Sequence, residues 1–157
     1  MAGSSSAAAR VPFGRLGDAA LLKRFATAFG LSARPVIAGR DVFDPLYARL
    51  PGRFPPLFEQ LVTAYTWEAE VDLGPLRLLP NPPGAGLAGL EEALFRLLAL
   101  HSEPAGFIPF ALGPDGAPVS FDTERRRNDK DCPIVQAGTD TGEIAPSFKA
   151  LIERLSD

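Results

Sequence analysis

Residues 106–122, Gly-Phe-Ile-Pro-Phe-Ala-Leu-Gly-Pro-Asp-Gly-Ala-Pro-Val-Ser-Phe-Asp, constrain the fold of this chain more than any other stretch. Two short apolar runs flank Gly113-Pro114-Asp115-Gly116. Pro114 presets φ at the second turn position, Asp115 can bond nearby backbone, and Gly116 tolerates positive φ. Apolar runs joined by such a turn predict a β-hairpin. The stretch holds no obvious catalytic group, so it speaks for a scaffold rather than a reaction.

The flanking periodicities place the other elements. Gly17-Asp18 followed by Leu21, Leu22, Phe25 and Phe29 has helical spacing, with Asp18 as N-cap and Gly30 as stop. Residues 31–54 read as irregular, with a short helical turn at Asp44-Pro45-Leu46-Tyr47. A helix starts at Pro55-Pro56 and runs through Leu57, Phe58, Leu61, Val62 and Tyr65, since proline costs little in a first turn. From Trp67 the period becomes 2. Trp67, Ala69, Val71 and Leu73 alternate with Glu68, Glu70 and Asp72, predicting a half-buried antiparallel strand.

Gly74-Pro75 turns the chain into a second strand over Leu76–Leu79, and Leu87–His101 is the most strongly helical segment. After the hairpin come a charged loop at 123–130, a strand at Cys132–Gln136, and a turn or short strand near Thr139–Ile144. Pro146-Ser147 starts a last helix with Phe148, Leu151, Ile152 and Leu155 inward. This order argues an α+β single domain, with a mainly antiparallel sheet of about 5–6 strands packed with about 4–5 helices.

A chain of 157 residues supports one domain with a real core. Residues 1–12 are small and polar, lack the marks of a secretory signal, and read as a disordered tail. The single cysteine, Cys132, excludes an internal disulfide and points to a reducing compartment, so the expected location is cytoplasmic. No run approaches the roughly 18 apolar residues that span a bilayer, and no membrane partner is expected. Residues 1–66 carry eight Arg or Lys against four Asp or Glu, whereas residues 67–157 carry eight against fifteen. An acidic half can steer a basic partner and repels nucleic acid. The alternative is a solvated surface whose sequence halves interleave in space.

Most chemical constellations fail on spacing. Gly84-Ala85-Gly86-Leu87-Ala88-Gly89 matches a dinucleotide-binding pattern, but Asn81-Pro82-Pro83 separates it from the strand and that strand reads as part of a hairpin. His101, the only histidine, suits the end of its helix, and no serine or cysteine has a visible link to it. Cys132 lies in an apolar strand, where a thiol is inert. Asp129, Asp131, Asp140 and Glu143 match no calcium loop, so neither metal nor cofactor is expected. Arg125-Arg126-Arg127 lacks aromatic neighbours and is bracketed by acids, which makes a poor nucleic-acid site. Glu68, Glu70 and Asp72 are spaced to project together, about 7 Å apart, from one strand face. That face is either a solvated surface or a partner-binding one.

In order along the chain stand Leu50-Pro51, Pro55-Pro56-Leu57, Tyr65-Thr66-Trp67, Leu78-Leu79-Pro80-Asn81-Pro82, Gly106–Ala111, Asp115–Asp122, Cys132-Pro133-Ile134-Val135 and Ser147-Phe148. Together these pieces resemble the SUKH superfamily, whose Smi/Knr domain takes its name partly from a fungal regulator of cell-wall synthesis. They span roughly residues 43–157. The resemblance implies an α+β domain over 13–157 without enzymatic activity. Bacterial members look like immunity proteins that bind and neutralise a polymorphic toxin, often a nuclease or deaminase. Eukaryotic members look like regulatory or adaptor modules.

These readings converge on a non-enzymatic protein-binding domain, with an immunity protein that occludes a basic toxin domain as the leading expectation. A regulatory interaction module unrelated to toxins is the alternative, and an enzyme using the carboxylates is a third reading. The candidate partner contacts are Glu68, Glu70, Asp72, Asp115, Asp122, Asp129 and Asp131.

Overall fold

A computed structural model describes residues 17–37, 39, 41–100, 106–136 and 142–156. The expected tail at 1–12, His101 and Asp140 lie outside the described residues. The helices are α1 (Asp18–Phe29), α2 (Asp44–Tyr47), α3 (Pro56–Ala64), α4 (Ala88–Leu100) and α5 (Phe148–Leu155). The strands are β1 (Ser32–Ala33), β2 (Tyr65–Thr66), β3 (Val71–Asp72), β4 (Arg77–Leu78), β5 (Phe107–Leu112), β6 (Pro118–Asp122), β7 (Ile134–Gln136) and β8 (Glu143–Ala145). β3 to β8 form one antiparallel meander in sequence order, and β1 pairs with β2 in a separate small sheet. The α+β architecture with an antiparallel sheet is therefore the observed one. No helix among the described residues is long and apolar enough to cross a membrane.

The β5–β6 hairpin sits at the centre of the sheet. Its turn closes as the residue types require: Gly113 N–H donates to Ala117 O at 2.8 Å and Gly116 N–H to Gly113 O at 2.9 Å. Gly116 has φ +83°, which a side chain would strain. Pro109 lacks a ladder donor, and the register slips beside it, from Pro109↔Ser120 to Ala111↔Val119. Phe110 is the extra residue. Its carbonyl accepts instead from Leu79 N–H at 3.3 Å on the β4 side.

That bulge helps build the core. The rings of Phe110 and Phe121 stack at 4.0 Å with an 8° interplanar angle. Phe58 of α3 packs edge-on against Phe54, Phe110, Phe121 and Phe148 at 4.7, 5.6, 5.3 and 5.4 Å. Edge-to-face pairs at these distances add stabilisation beyond the area they bury. The rings thus bind α3, the hairpin and α5 into one unit.

Helix ends follow local chemistry. Gly30 caps α1 in the left-handed region. The N-cap is Gly17 rather than Asp18; Asp18 occupies the first turn, where its charge suits the helix dipole, and pairs with Lys149 of α5 at 3.4 Å. α5 is capped by Ser147, whose hydroxyl accepts from Ala150 N–H at 3.1 Å.

Phe58→Ala should destabilise the protein by about 3–5 kcal/mol, because four ring contacts are lost and the surrounding rings cannot all collapse into the space. Urea denaturation checks this, with Phe107→Ala, half-buried at the start of β5, costing clearly less.

Candidate partner-binding groove

The strand expected over Trp67–Leu73 is realised only at Val71–Asp72. Trp67 pairs with Asn81, and Val71 pairs with Leu78. Residues 68–70 therefore stand opposite only residues 79–80, one position short. Pro80 has no N–H to donate, and Leu79 N–H is committed to Phe110. The ladder is interrupted and residues 68–70 leave the sheet, so Glu68, Ala69 and Glu70 are all exposed. Apolar alternation missed this because the surplus residue is visible only once the partner strand is known.

Trp67 and Asn81 fix the base of this excursion. They exchange two backbone hydrogen bonds, Trp67 N–H to Asn81 O at 3.0 Å and Asn81 N–H to Trp67 O at 2.9 Å. The Trp67 indole N–H donates to Leu79 O at 2.7 Å. The Asn81 amide, fully buried, donates to Val62 O at 3.0 Å and Tyr65 O at 2.9 Å. These carbonyls belong to the end of α3, where helical partners run out. One side chain thus satisfies the helix end and ties it to the strand pair.

Beside this clamp lies an open groove of about 400 Å³, walled by Gly30, Ser32, Thr66 and Trp67 and rimmed by Glu68 and Glu70. Pairing of Ser32 with Thr66 brings the end of α1 to its edge. Glu70 Oε1 meets Arg77 Nη1 at 2.9 Å, with both side chains 38% exposed. Glu68 forms no ion pair or hydrogen bond among the described residues. Asp72 accepts from Gly74 N–H at 2.8 Å and so shapes the β3–β4 turn. The three acids do not share one strand face: Glu68 and Glu70 line the groove, the first without an ion pair among the described residues and the second paired, while Asp72 lies outside it in the turn.

The remaining candidates divide by position. Asp115 lies at the same end of the sheet as Asp72, since Asp72, Arg77, Leu112 and Pro118 align across adjacent strands. It accepts from Ala117 N–H at 3.1 Å and from the Gln136 amide at 2.8 Å. The bond from Ala117 N–H, aided by Gln136, holds its carboxyl below the usual range despite some desolvation. Asp129, exposed, accepts from Asp131 N–H at 3.0 Å and lies 3.6 Å from Arg127.

Asp122 and Asp131 are not surface contacts but buried structural groups, 7% and 5% exposed. Asp122 accepts from Glu124 N–H at 3.1 Å and pairs with Arg125 at 2.8 Å, capping a 3₁₀ turn at Thr123–Arg125. Asp131 accepts from Cys132, Phe148 and Lys149 N–H at 2.7, 2.9 and 3.1 Å. Its charge meets the first turn of α5, where backbone donors lack helical partners. A buried carboxylate persists only when bonded in this way. The partners lie 17 and 18 residues away, so local sequence could not announce the role.

Other chemistry is placed plainly. The glycine-rich run opens α4, but β4 before it and β5 after it pair antiparallel, which is not the parallel crossover that presents a helix to a pyrophosphate. A Cβ on Gly89 would meet the Pro82 ring at 2.2 Å, so this glycine serves close packing. Burial pushes the Cys132 thiol up to about 11, with nearby Asp131, Asp122 and Asp129 adding to it against Arg126. Among the described residues no three His, Cys, Asp or Glu converge on a metal position. Searches against family models and curated proteins give no match to this sequence.

Asn81→Ala should cost about 1–3 kcal/mol for each carbonyl left without its donor, read as a lower denaturation midpoint. Cys132, fully buried and protonated at neutral pH, should resist an aqueous thiol reagent in the native protein and react at a rate set by unfolding. Rapid labelling without loss of structure would contradict this placement.

Proposed function

We propose that this chain is a non-enzymatic protein-binding domain that docks a basic segment of its partner in the groove beside Trp67. The observation that carries the reading is Glu68. Its carboxylate stands on a segment expelled from the sheet, at the rim of an open groove, without an internal partner among the described residues. Glu70 reinforces the negative rim, partly offset by Arg77. A cationic side chain entering the groove would meet both carboxylates while its stem lies along the groove wall.

The resemblance of the sequence to SUKH immunity proteins supports a specific version of this reading. In that version the partner is a basic toxin domain such as a nuclease, and binding covers its active surface. Asp72, next in sequence to the groove-lining Val71, adds to the negative field beside the groove. Such complementarity acts mainly on association rate.

Glu68→Lys combined with Glu70→Lys should slow association with a cognate basic toxin domain several-fold at low salt, and the difference should shrink as salt rises. Both groups are exposed and an exposed pair such as Glu70–Arg77 contributes at most about 1 kcal/mol, so the variant remains folded. An unchanged rate would remove the groove as the docking surface. Binding without neutralisation of the toxin would instead favour the regulatory module.

A further inference from the structure

At the opposite end of the meander, beyond Asp122, a cleft of about 270 Å³ opens between the loop at 51–53 and the loop at 123–130. Its lining includes Arg53, Thr123, Arg126 and Lys130 and no carboxylate, in a chain whose net charge is −3. The neighbouring arginines are neutralised: Arg125 pairs with Asp122 and Glu143, and Arg127 with Asp129. Arg53, Arg126 and Lys130 form no ion pair among the described residues.

Arg126 builds the cleft. Its guanidinium donates to the carbonyls of Arg53 and Lys130, joining residues 73 positions apart and holding both loops. Gly52 lets them approach, since a Cβ there would lie 2.8 Å from the Thr123 hydroxyl oxygen. The Arg53 guanidinium leans over the Tyr47 ring at 5.2 Å, which restricts it. Lys130 adopts φ 69°, a left-handed conformation that lysine takes at a cost and glycine would take freely. Three cations therefore border one opening without an ion-pair partner among the described residues.

We infer that this cleft is a binding site for a phosphate dianion, either free phosphate or a terminal phosphomonoester. The donor set favours phosphate over a carboxylate. Arg126 gives one N–H from each terminal nitrogen to a carbonyl, which fixes its guanidinium beside the opening and leaves its other donors free. The opening thus presents one fixed charge with an ammonium and a second guanidinium arriving from different loops. That arrangement suits a compact, multiply charged group with oxygens in several directions. The site is separate from the acidic groove and stands whether or not that groove binds a partner.

The test is titration of the full chain with inorganic phosphate and, in parallel, with glycerol phosphate, followed by amide NMR shifts at neutral pH and constant ionic strength. Saturable shifts centred on residues 51–53 and 123–130, about tenfold weaker in Arg53→Ala/Lys130→Ala, would support the site. Tighter binding of the ester would assign a phosphomonoester as the source, and equal or weaker binding would assign free phosphate. Lys130→Gly supplies the control for folding: it should keep or raise the melting temperature while weakening phosphate binding. Shifts spread over the surface, shifts that survive in the double variant, or a Lys130→Gly protein that binds as the parent does would each overturn the proposal.

Discussion

The contact between Phe58 and the stacked Phe110–Phe121 pair is the constraint on which the remaining geometry depends. It seats α3 on the central hairpin, and Phe148 seats α5 against the same rings. Each helix then delivers one functional end. The C-terminus of α3 runs into β2 and the Trp67–Asn81 clamp, which positions the acidic groove. The N-terminus of α5 receives Asp131, which anchors the far side of the basic loop. Loosening the ring cluster would therefore disturb both surfaces, although neither contains a phenylalanine.

Two prolines show how a missing donor becomes a structural device. Pro109 in the central hairpin forces a slip that frees Phe110 for stacking and for its bond to Leu79. Pro80 helps interrupt the β3–β4 ladder and so puts Glu68 in solvent. In both places the sheet loses one rung and the chain gains a side-chain placement that an unbroken ladder would forbid. The first loss strengthens the core; the second creates exposed charge.

Much of this was legible in residue order, and the failures share a cause. The hairpin turn at 113–116, the proline start of α3, the glycine stop of α1 and the serine cap of α5 are local signals, decided within about four residues. The expected strand at 67–73 failed because its pairing register depends on residues 78–81. Asp122 and Asp131 looked like surface acids because their solvent exposure is set by packing, not by neighbours in sequence. Of the seven acids expected to face a partner, five are exposed, and among these Glu68 alone has no hydrogen bond or ion pair among the described residues. Periodicity identifies elements well and their mutual register poorly.

Charge asymmetry along the sequence does not survive folding as two halves. Asp18 of the basic half pairs with Lys149 of the acidic half, and Arg53 is joined to the loop bearing Arg126 and Lys130. The halves interleave. Asp72 and Asp115 lie at one end of the meander together with Arg77, and the loop beyond the other end sets Arg125, Arg126, Arg127 and Lys130 against Asp122, Glu124, Asp129 and Asp131. Folding therefore leaves local charge rather than two poles: among the described residues Glu68 at the groove, and Arg53, Arg126 and Lys130 at the cleft, have no ion-pair partner. Such local charges act on a partner only at short range, within a Debye length of roughly 8–10 Å at physiological salt.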